Sequence, residues 1–202
     1  MPHAVYGGEN AMDNITAIIK ARGAKKVAMF TDKGIEGAGL FALPEEAVKA
    51  SGAEYYVLDE LPPEPSYMAV QKLVDEFKTS SADLIVACGG GSVMDCCKAV
   101  SMAARYDGDL WADYWARPGV VDFEPVPLGM IVTVSGTGSE MNGGAVITNE
   151  ELKIKTGRDY PKCNARFALM DPTYTFSVPK MQMISGGFDT LSHICLLYTS
   201  DA

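Results

Sequence analysis

Residues 83–95 read DLIVACGGGSVMD, an apolar run that passes directly into three glycines and then into a helical pattern. The run predicts a buried strand, and residues 92–105 predict the helix that follows it. Glycines between a parallel strand and a helix let a ligand approach the backbone closely, and the free N–H groups of the helix favour an anion there. The motif fits neither GxGxxG nor GxxxxGK. Taken alone, it is explained equally well as a tight turn with a capping box between Ser92 and Asp95.

The rest of the chain alternates short apolar runs with longer helical patterns. Further strands are predicted at residues 26–31, 54–58, 127–134, 144–148 and 166–170. Helices are predicted around residues 12–19, 44–50 and 70–77, and from residue 179 onward. This alternation predicts an α/β fold with a Rossmann-like, mainly parallel sheet covered by helices on both faces. A domain boundary is predicted near residue 180, and the roughly twenty residues beyond it are too few for a second domain.

Composition and charge exclude several classes of partner. The chain has 202 residues, of which 17 are basic and 26 are acidic, so its formal charge of −9 argues against binding to a nucleic-acid backbone. No apolar run reaches the roughly 20 residues of a membrane span, and the first residues do not resemble a signal peptide. The five cysteines are an odd number and lack the spacing of a disulfide framework, which predicts reduced thiols and a cytoplasmic protein.

A second loop of small residues, TVSGTGSE at residues 133–140, also follows a predicted strand. Two such loops at strand ends of one sheet fit a dinucleotide that lies across the carboxyl edge. Asp32 directly follows the strand at residues 26–31. A carboxylate there binds ribose hydroxyls and repels a 2′-phosphate, which favours NAD over NADP. A solvated turn aspartate is the alternative interpretation.

Asp189 and His193 are four residues apart on one face of the last predicted helix. A carboxylate and an imidazole at this spacing can share a divalent metal, but they supply only half of a tetrahedral site. By spacing alone, a surface ion pair is the commoner explanation. Nothing in the sequence indicates a Ser–His–Asp triad.

Together these motifs resemble one family, the iron-containing (group III) alcohol dehydrogenases. The resemblance covers residues 5–193. The matching motifs are TDKG (31–34), GGGSVMD (89–95) with Lys98, GTGSEMN (136–142), AVITN (145–149), Lys155, Asp171-Pro172 and Asp189 with His193. The resemblance implies an NAD(P)-binding α/β domain, a helical second domain that holds Fe²⁺ or Zn²⁺, and interconversion of alcohols with aldehydes or ketones.

The resemblance also implies roles for individual residues. Asp32 should face the adenosine ribose, and the pyrophosphate should contact Gly90, Gly91 and Ser92. The middle and the nicotinamide end of the cofactor should lie against Thr133, Thr137 and Lys155. The first two metal ligands should be Asp189 and His193. The family's other two ligands are histidines in the helical domain, and this chain has none to offer.

The end of the chain departs from the family, which usually shows His-x-x-Glu-x-Tyr on this helix, whereas Leu196 stands at the glutamate position. The last eight residues resemble a translated sequencing-library adapter. We therefore interpret residues 1–180 as the NAD-binding domain, 181–194 as the first helix of a truncated helical domain, and 195–202 as a non-native tail. A genuine short C-terminus is the alternative for the tail.

Three expectations about function follow. The parent protein is predicted to be an NAD(H)-linked, metal-dependent alcohol dehydrogenase or aldehyde reductase that takes a small-molecule substrate and forms a homo-oligomer. The alternatives are a dehydroquinate-synthase-like enzyme that acts on a polyol or sugar phosphate, and a nucleotide-binding module without catalysis. The chain itself should expose apolar side chains of its last helix, aggregate, bind NAD weakly and show no metal-dependent turnover.

Overall fold

The computed structural model describes the backbone of residues 1–200 and the side chains of residues 1–196. The interpretation of residues 195–202 as a non-native tail therefore falls mostly outside the described side chains. The strands are β1 (Val5–Gly7), β2 (Lys26–Phe30), β3 (Glu54–Leu58), β4 (Leu84–Gly89), β5 (Leu128–Val132), β6 (Gly144–Asn149), β7 (Ile154–Asp159) and β8 (Phe167–Met170). The α-helices are α1 (Ile15–Arg22), α2 (Lys33–Gly37), α3 (Ala42–Ser51), α4 (Tyr67–Ser80), α5 (Gly91–Ala103) and α6 (Lys180–Ser200).

Six strands form one sheet in the order β1-β8-β5-β4-β2-β3. Every neighbouring pair in that sheet is parallel, which confirms the predicted parallel α/β fold. The predicted strand at residues 144–148 lies elsewhere, because β6 pairs with β7 in a separate antiparallel hairpin.

Alternate residues of the central strands face two different cores, as the two-residue period of a strand requires. On one face, Ala28 and Phe30 of β2 pack with α4 and α5. On the other face, Val27 and Met29 of the same strand pack with α1 and α3. Helices therefore cover both faces of the sheet, and the sheet is buried enough to hold its carboxyl edge rigid.

Local signals set the ends of several helices around the sheet. Gly23 ends α1 in the left-handed conformation, with φ at 66°. Ser66 begins α4, and its side chain accepts a hydrogen bond from the N–H of Ala69 at 3.1 Å. The N-cap of α5 is Gly90, which has no side chain to donate or accept. The capping box between Ser92 and Asp95 is therefore wrong as an explanation of the triple glycine, and Asp95 bonds elsewhere.

The order of the strands creates a crevice in the sheet. The chain passes from β2 to β3 on one side, and then returns to place β4 on the other side of β2. Helices that leave β2 and β4 therefore diverge, and the carboxyl ends of these strands border a gap. Ligands of open parallel sheets bind at such a point.

No described helix is long and apolar enough to cross a membrane. Four cysteines are buried, namely Cys88, Cys96, Cys97 and Cys163. Burial raises the pKa of the Cys88 and Cys96 thiols to about 12, so both stay protonated and poorly reactive at neutral pH.

Candidate functional site

Three neighbouring strands end at one cleft. Asp32, Gly90 and Thr133 follow β2, β4 and β5, and all three line a cavity of about 530 Å³. A second cavity, of about 460 Å³, continues the cleft and shares Gly91 and Ser92 with the first. Its lining reaches the second small-residue loop, the hairpin and the last helix, with Gly136, Thr137, Lys155 and Asp189. The structure thus brings both predicted loops and the predicted aspartate together along one edge.

The two loops are in direct contact, and glycine is what permits it. A Cβ atom at position 90 would lie only 2.7 Å from Cγ1 of Val134. A Cβ atom at position 91 would lie 3.3 Å from Oγ1 of Thr137. Gly91 is the first residue of α5, so the unpaired N–H groups of the helix N-terminus open at this contact. The arrangement suits an anion.

Asp32 stands at the mouth of the crevice, beside the first loop. It is the N-cap of α2, and its Oδ1 accepts a hydrogen bond from the N–H of Ile35 at 3.0 Å. This bond fixes the carboxylate at the end of β2. Asp32 is therefore a structural cap as well as a candidate ribose ligand, and the interpretation as a merely solvated turn residue is incomplete.

Thr133 and Thr137 differ in their surroundings. Thr133 is buried, and its N–H donates to the carbonyl oxygen of Gly89 at 3.3 Å, which continues the pairing of β5 with β4 beyond the strands. Thr137 is exposed in the second cavity. A bound ligand could reach the Thr137 hydroxyl directly.

A buried lysine joins α5 to the second loop. The side chain of Lys98 is only 1% exposed, and its ammonium donates to Ser139 Oγ at 2.7 Å, to Ser139 O at 2.7 Å and to Gly144 O at 2.5 Å. Its Nζ lies 3.9 Å from Oδ1 of Asp95. Asp95 in turn accepts from Ser139 Oγ at 2.6 Å and from the N–H of Val146 at 2.9 Å. This network holds one wall of the cleft.

Burial opposes both charges of this pair. It raises the pKa of Asp95, although Lys98 and the hydrogen bond from Ser139 act in the opposite direction. It lowers the pKa of Lys98, against the attraction of Asp95. Each charge therefore depends on its partners. Both residues lie within motifs of the sequence, but those motifs do not indicate this role.

Asp189 and His193 meet on α6 as the spacing predicted. Asp189 Oδ1 lies 3.8 Å from Nε2 of His193, and both side chains are about half exposed. The helix rests on the second loop, because a Cβ at Gly186 would come within 2.4 Å of Ser135 O. The hydroxyl of Thr190 donates to Gly136 O at 3.2 Å. Asp189 consequently lines the cleft.

His193 is placed differently from the other predicted site residues. It lines neither of the two cavities above, but a third one of about 340 Å³ that it shares with Asp95, Thr137 and Ser139. Within the residues that the structure describes, no three His, Cys, Asp or Glu side chains are grouped so as to hold a metal ion. The described residues thus offer Asp189 and His193 no third side chain of these types.

Comparison with known proteins identifies the family. The model of the family described as iron-containing alcohol dehydrogenase matches residues 2–172. The chain belongs to this family. Membership agrees with the order of the motifs, from the aspartate after β2 to the two glycine-rich loops.

Individual proteins are similar to this one over nearly the whole chain. NADH-dependent butanol dehydrogenase A of Clostridium acetobutylicum is 34% identical over 200 residues, which cover 99% of this chain and 51% of that protein. The solved NADH-dependent butanol dehydrogenase A of Thermotoga maritima matches with a TM-score of 0.90 at 32% identity, over 96% of this chain and 48% of its own. The solved sulfoacetaldehyde reductase of Bifidobacterium kashiwanohense, in complex with NAD⁺, matches with a TM-score of 0.86 at 28% identity. This match covers 95% of the present chain and 50% of the reductase. The chain thus spans about half the length of the relatives it matches.

In this iron-containing alcohol dehydrogenase chain, the last helix is largely uncovered. The apolar side chains that the sequence predicts to be exposed are between 41% and 74% exposed, namely Met181, Met183, Ile184, Phe188 and Leu191. Gly186 and Thr190 instead form the face that contacts the second loop. The helix is thus held on one side only among the described residues.

Proposed function

We propose that this chain supplies the nucleotide-binding part of a metal-dependent alcohol dehydrogenase or aldehyde reductase that uses NAD(H). The observation that carries the proposal is the contact between the two glycine-rich loops at the carboxyl edge, between positions 91 and 137. The family and its NADH-dependent relatives support the same reaction class. The substrate would be a small alcohol or aldehyde.

The cleft fits a dinucleotide in size, and the N-terminus of α5 opens into it. Two connected cavities of about 530 and 460 Å³ follow the sheet edge from Asp32 to Asp189. The adenosine ribose would bind at Asp32, and the pyrophosphate would bind at Gly90, Gly91 and Ser92, where the α5 amides offer positive partial charge. The middle and the nicotinamide end of the cofactor would then lie against Thr133 in the first cavity and against Thr137 and Lys155 in the second.

The metal would take Asp189 and His193 as two of its ligands. The paired carboxylate and imidazole suit Fe²⁺ or Zn²⁺ in donor type, but a tetrahedral site needs four donors. When bound, such an ion acts as a Lewis acid on the carbonyl or alkoxide oxygen. The role of the chain's own residues is to hold the aspartate against the second loop through Gly186 and Thr190, so that the Asp189 carboxylate faces the second cavity.

This assignment includes the domain interpretation of the sequence. Residues 1–180 would form the NAD-binding domain, and residues 181–194 would begin a helical domain. With two metal donors, the 202-residue chain by itself should bind nucleotide without oxidising alcohol. Among the alternatives, a sugar-phosphate enzyme has no observation of its own in its favour.

Titration of the chain with NADH, followed by nucleotide fluorescence, tests the proposal. We expect saturable one-to-one binding that NAD⁺ displaces, and no reduction of C2–C6 aldehydes by the chain supplied with Zn²⁺ or Fe²⁺. Absence of NADH binding by a folded, monodisperse chain would contradict the nucleotide assignment. Turnover by the 202 residues alone would instead show that the metal site is complete.

Replacing Asp32 with glycine should relax the preference for NAD(H) over NADP(H). The substitution removes the charge that repels a 2′-phosphate. The dissociation constant for NADPH divided by that for NADH should therefore fall by about tenfold. Asp32→Asn is the matched control for the cap, because asparagine also caps helices but carries no charge. Both variants should change the ratio in titrations with NADH and NADPH. An unchanged ratio in Asp32→Asn would contradict the electrostatic explanation.

A further inference from the structure

Negative charge dominates the lining of the candidate nucleotide cleft. Among the described residues that line its two cavities, Lys155 is the only one with a positive side chain. Five carboxylates line the same cavities, namely Asp32, Glu64, Asp95, Glu140 and Asp189. A dinucleotide pyrophosphate adds two negative charges to this surface. Lys155 is therefore the one side chain in this lining whose charge can offset that of the pyrophosphate.

Glu64 is the carboxylate that engages this lysine. Its Oε2 lies 3.6 Å from Nζ of Lys155. Asp32 and Asp95 accept backbone hydrogen bonds, which already compensate their charges in part. The Glu64 side chain is 69% exposed, and both partners of this ion pair line the second cavity.

The backbone holds this ion pair over the cleft. Glu64 lies between Pro63 and Pro65, whose rings restrict the connector to a narrow range of φ. The N–H of Thr148 in β6 donates to Pro65 O at 2.9 Å, and this bond fixes the connector to the hairpin. Lys155 follows on β7, where it pairs in register with Thr148. Glu64 and Lys155 are therefore both held by the junction between the proline-rich connector and the hairpin, and this junction keeps them close together.

We propose that Glu64 sets the nucleotide affinity of this site by competing with the pyrophosphate for Lys155. The inference rests on the nucleotide-binding function proposed above. In the empty cleft, Lys155 pairs with Glu64; when the dinucleotide binds, the ammonium turns to the phosphate oxygens and leaves the glutamate unpaired beside an anion. Glu64 thus weakens binding and favours release of the cofactor, while Lys155 strengthens binding.

Neutralising Glu64 should tighten binding. We expect Glu64→Gln to lower the dissociation constant for NADH by about two- to fivefold at low ionic strength, since charges on a protein surface interact at this level. The gain should shrink as salt is added, because the charges are solvent-exposed. Lys155→Met should weaken NADH binding. In the Lys155→Met background, Glu64→Gln should change the logarithm of the dissociation constant by less than half of what it does in the wild-type chain.

Glu124→Gln is the matched control. Glu124 is also 69% exposed and also ion-paired, with Lys162 at 3.1 Å and Arg166 at 3.5 Å, but it lines neither cavity. This variant changes the net charge by the same amount and should leave NADH affinity unchanged. If Glu124→Gln raises NADH affinity as much as Glu64→Gln does, the change in net charge explains the effect and the proposal is overturned.

The remaining outcomes separate this proposal from the one it rests on. NADH binding by the wild-type chain with no gain in Glu64→Gln, or with a full gain in the Lys155→Met background, overturns the role of Glu64 and leaves the nucleotide site standing. Binding by neither the wild-type chain nor Glu64→Gln overturns both. Measurable binding in Glu64→Gln alone supports both, since removing the competitor then reveals the site.

Discussion

Replacing Lys98 with methionine should lower the free energy of unfolding by about 3–5 kcal/mol, the range found when one partner of a buried ion pair is removed. Methionine preserves most of the side-chain length but leaves Asp95 charged in a place where burial already raises its pKa. It also removes the ammonium that donates to Ser139 and Gly144. Urea unfolding of the wild-type chain and the variant, followed by circular dichroism, measures the loss.

Asp95→Asn and the double variant control this prediction. Asparagine removes the charge that Lys98→Met would strand, so the double variant should lose clearly less stability than the sum of the two single variants. Exact additivity would mean that the two side chains do not interact. A loss below about 1 kcal/mol in Lys98→Met would contradict the buried network as the support of the second loop.

The strands of the fold could be predicted wherever burial requires a continuous run of apolar residues in the sequence. The strands β2, β4 and β5 are continuous apolar runs or nearly so, because a central parallel strand is buried on both faces. The strand β7 was missed for the opposite reason: its sequence IKTGRD is mostly exposed and pairs only with β6. The strand β1 has three residues, too few to show any period.

The candidate site divides in the same way. The two loops and Asp32 could be found because each directly follows a strand, and parallel strands end at one edge. The role of Lys98 could not, since its partners lie 41 to 46 residues further along the chain. The pairing of Glu64 with Lys155 could not be predicted from the sequence either, because it depends on how the hairpin packs against the proline-rich connector. Sequence shows which residues end the strands, and only the fold shows which distant side chains meet there.

Gly91 offers the sharpest test of the anion site itself, because an acidic side chain there should act as a permanent substitute for the phosphate. Gly91 is the first residue of α5, and its missing Cβ faces Thr137 across the gap between the loops. A carboxylate in the first turn stabilises a helix by about 0.3–1 kcal/mol through the same N–H groups that we assign to the pyrophosphate. Gly91→Asp should therefore keep the helix intact and fill the cleft with negative charge.

We expect Gly91→Asp to weaken NADH binding by on the order of hundredfold or more, since two like charges about 4 Å apart repel strongly in a partly buried cleft. Calorimetric titration measures the loss, and thermal unfolding should show that the chain remains folded. Gly91→Asn has nearly the same shape without the charge, so it should weaken binding much less. If Asp and Asn reduce affinity equally, the loss is steric, and repulsion between the new carboxylate and the phosphates is not its cause. If neither variant changes affinity, the dinucleotide does not lie across this edge of the sheet.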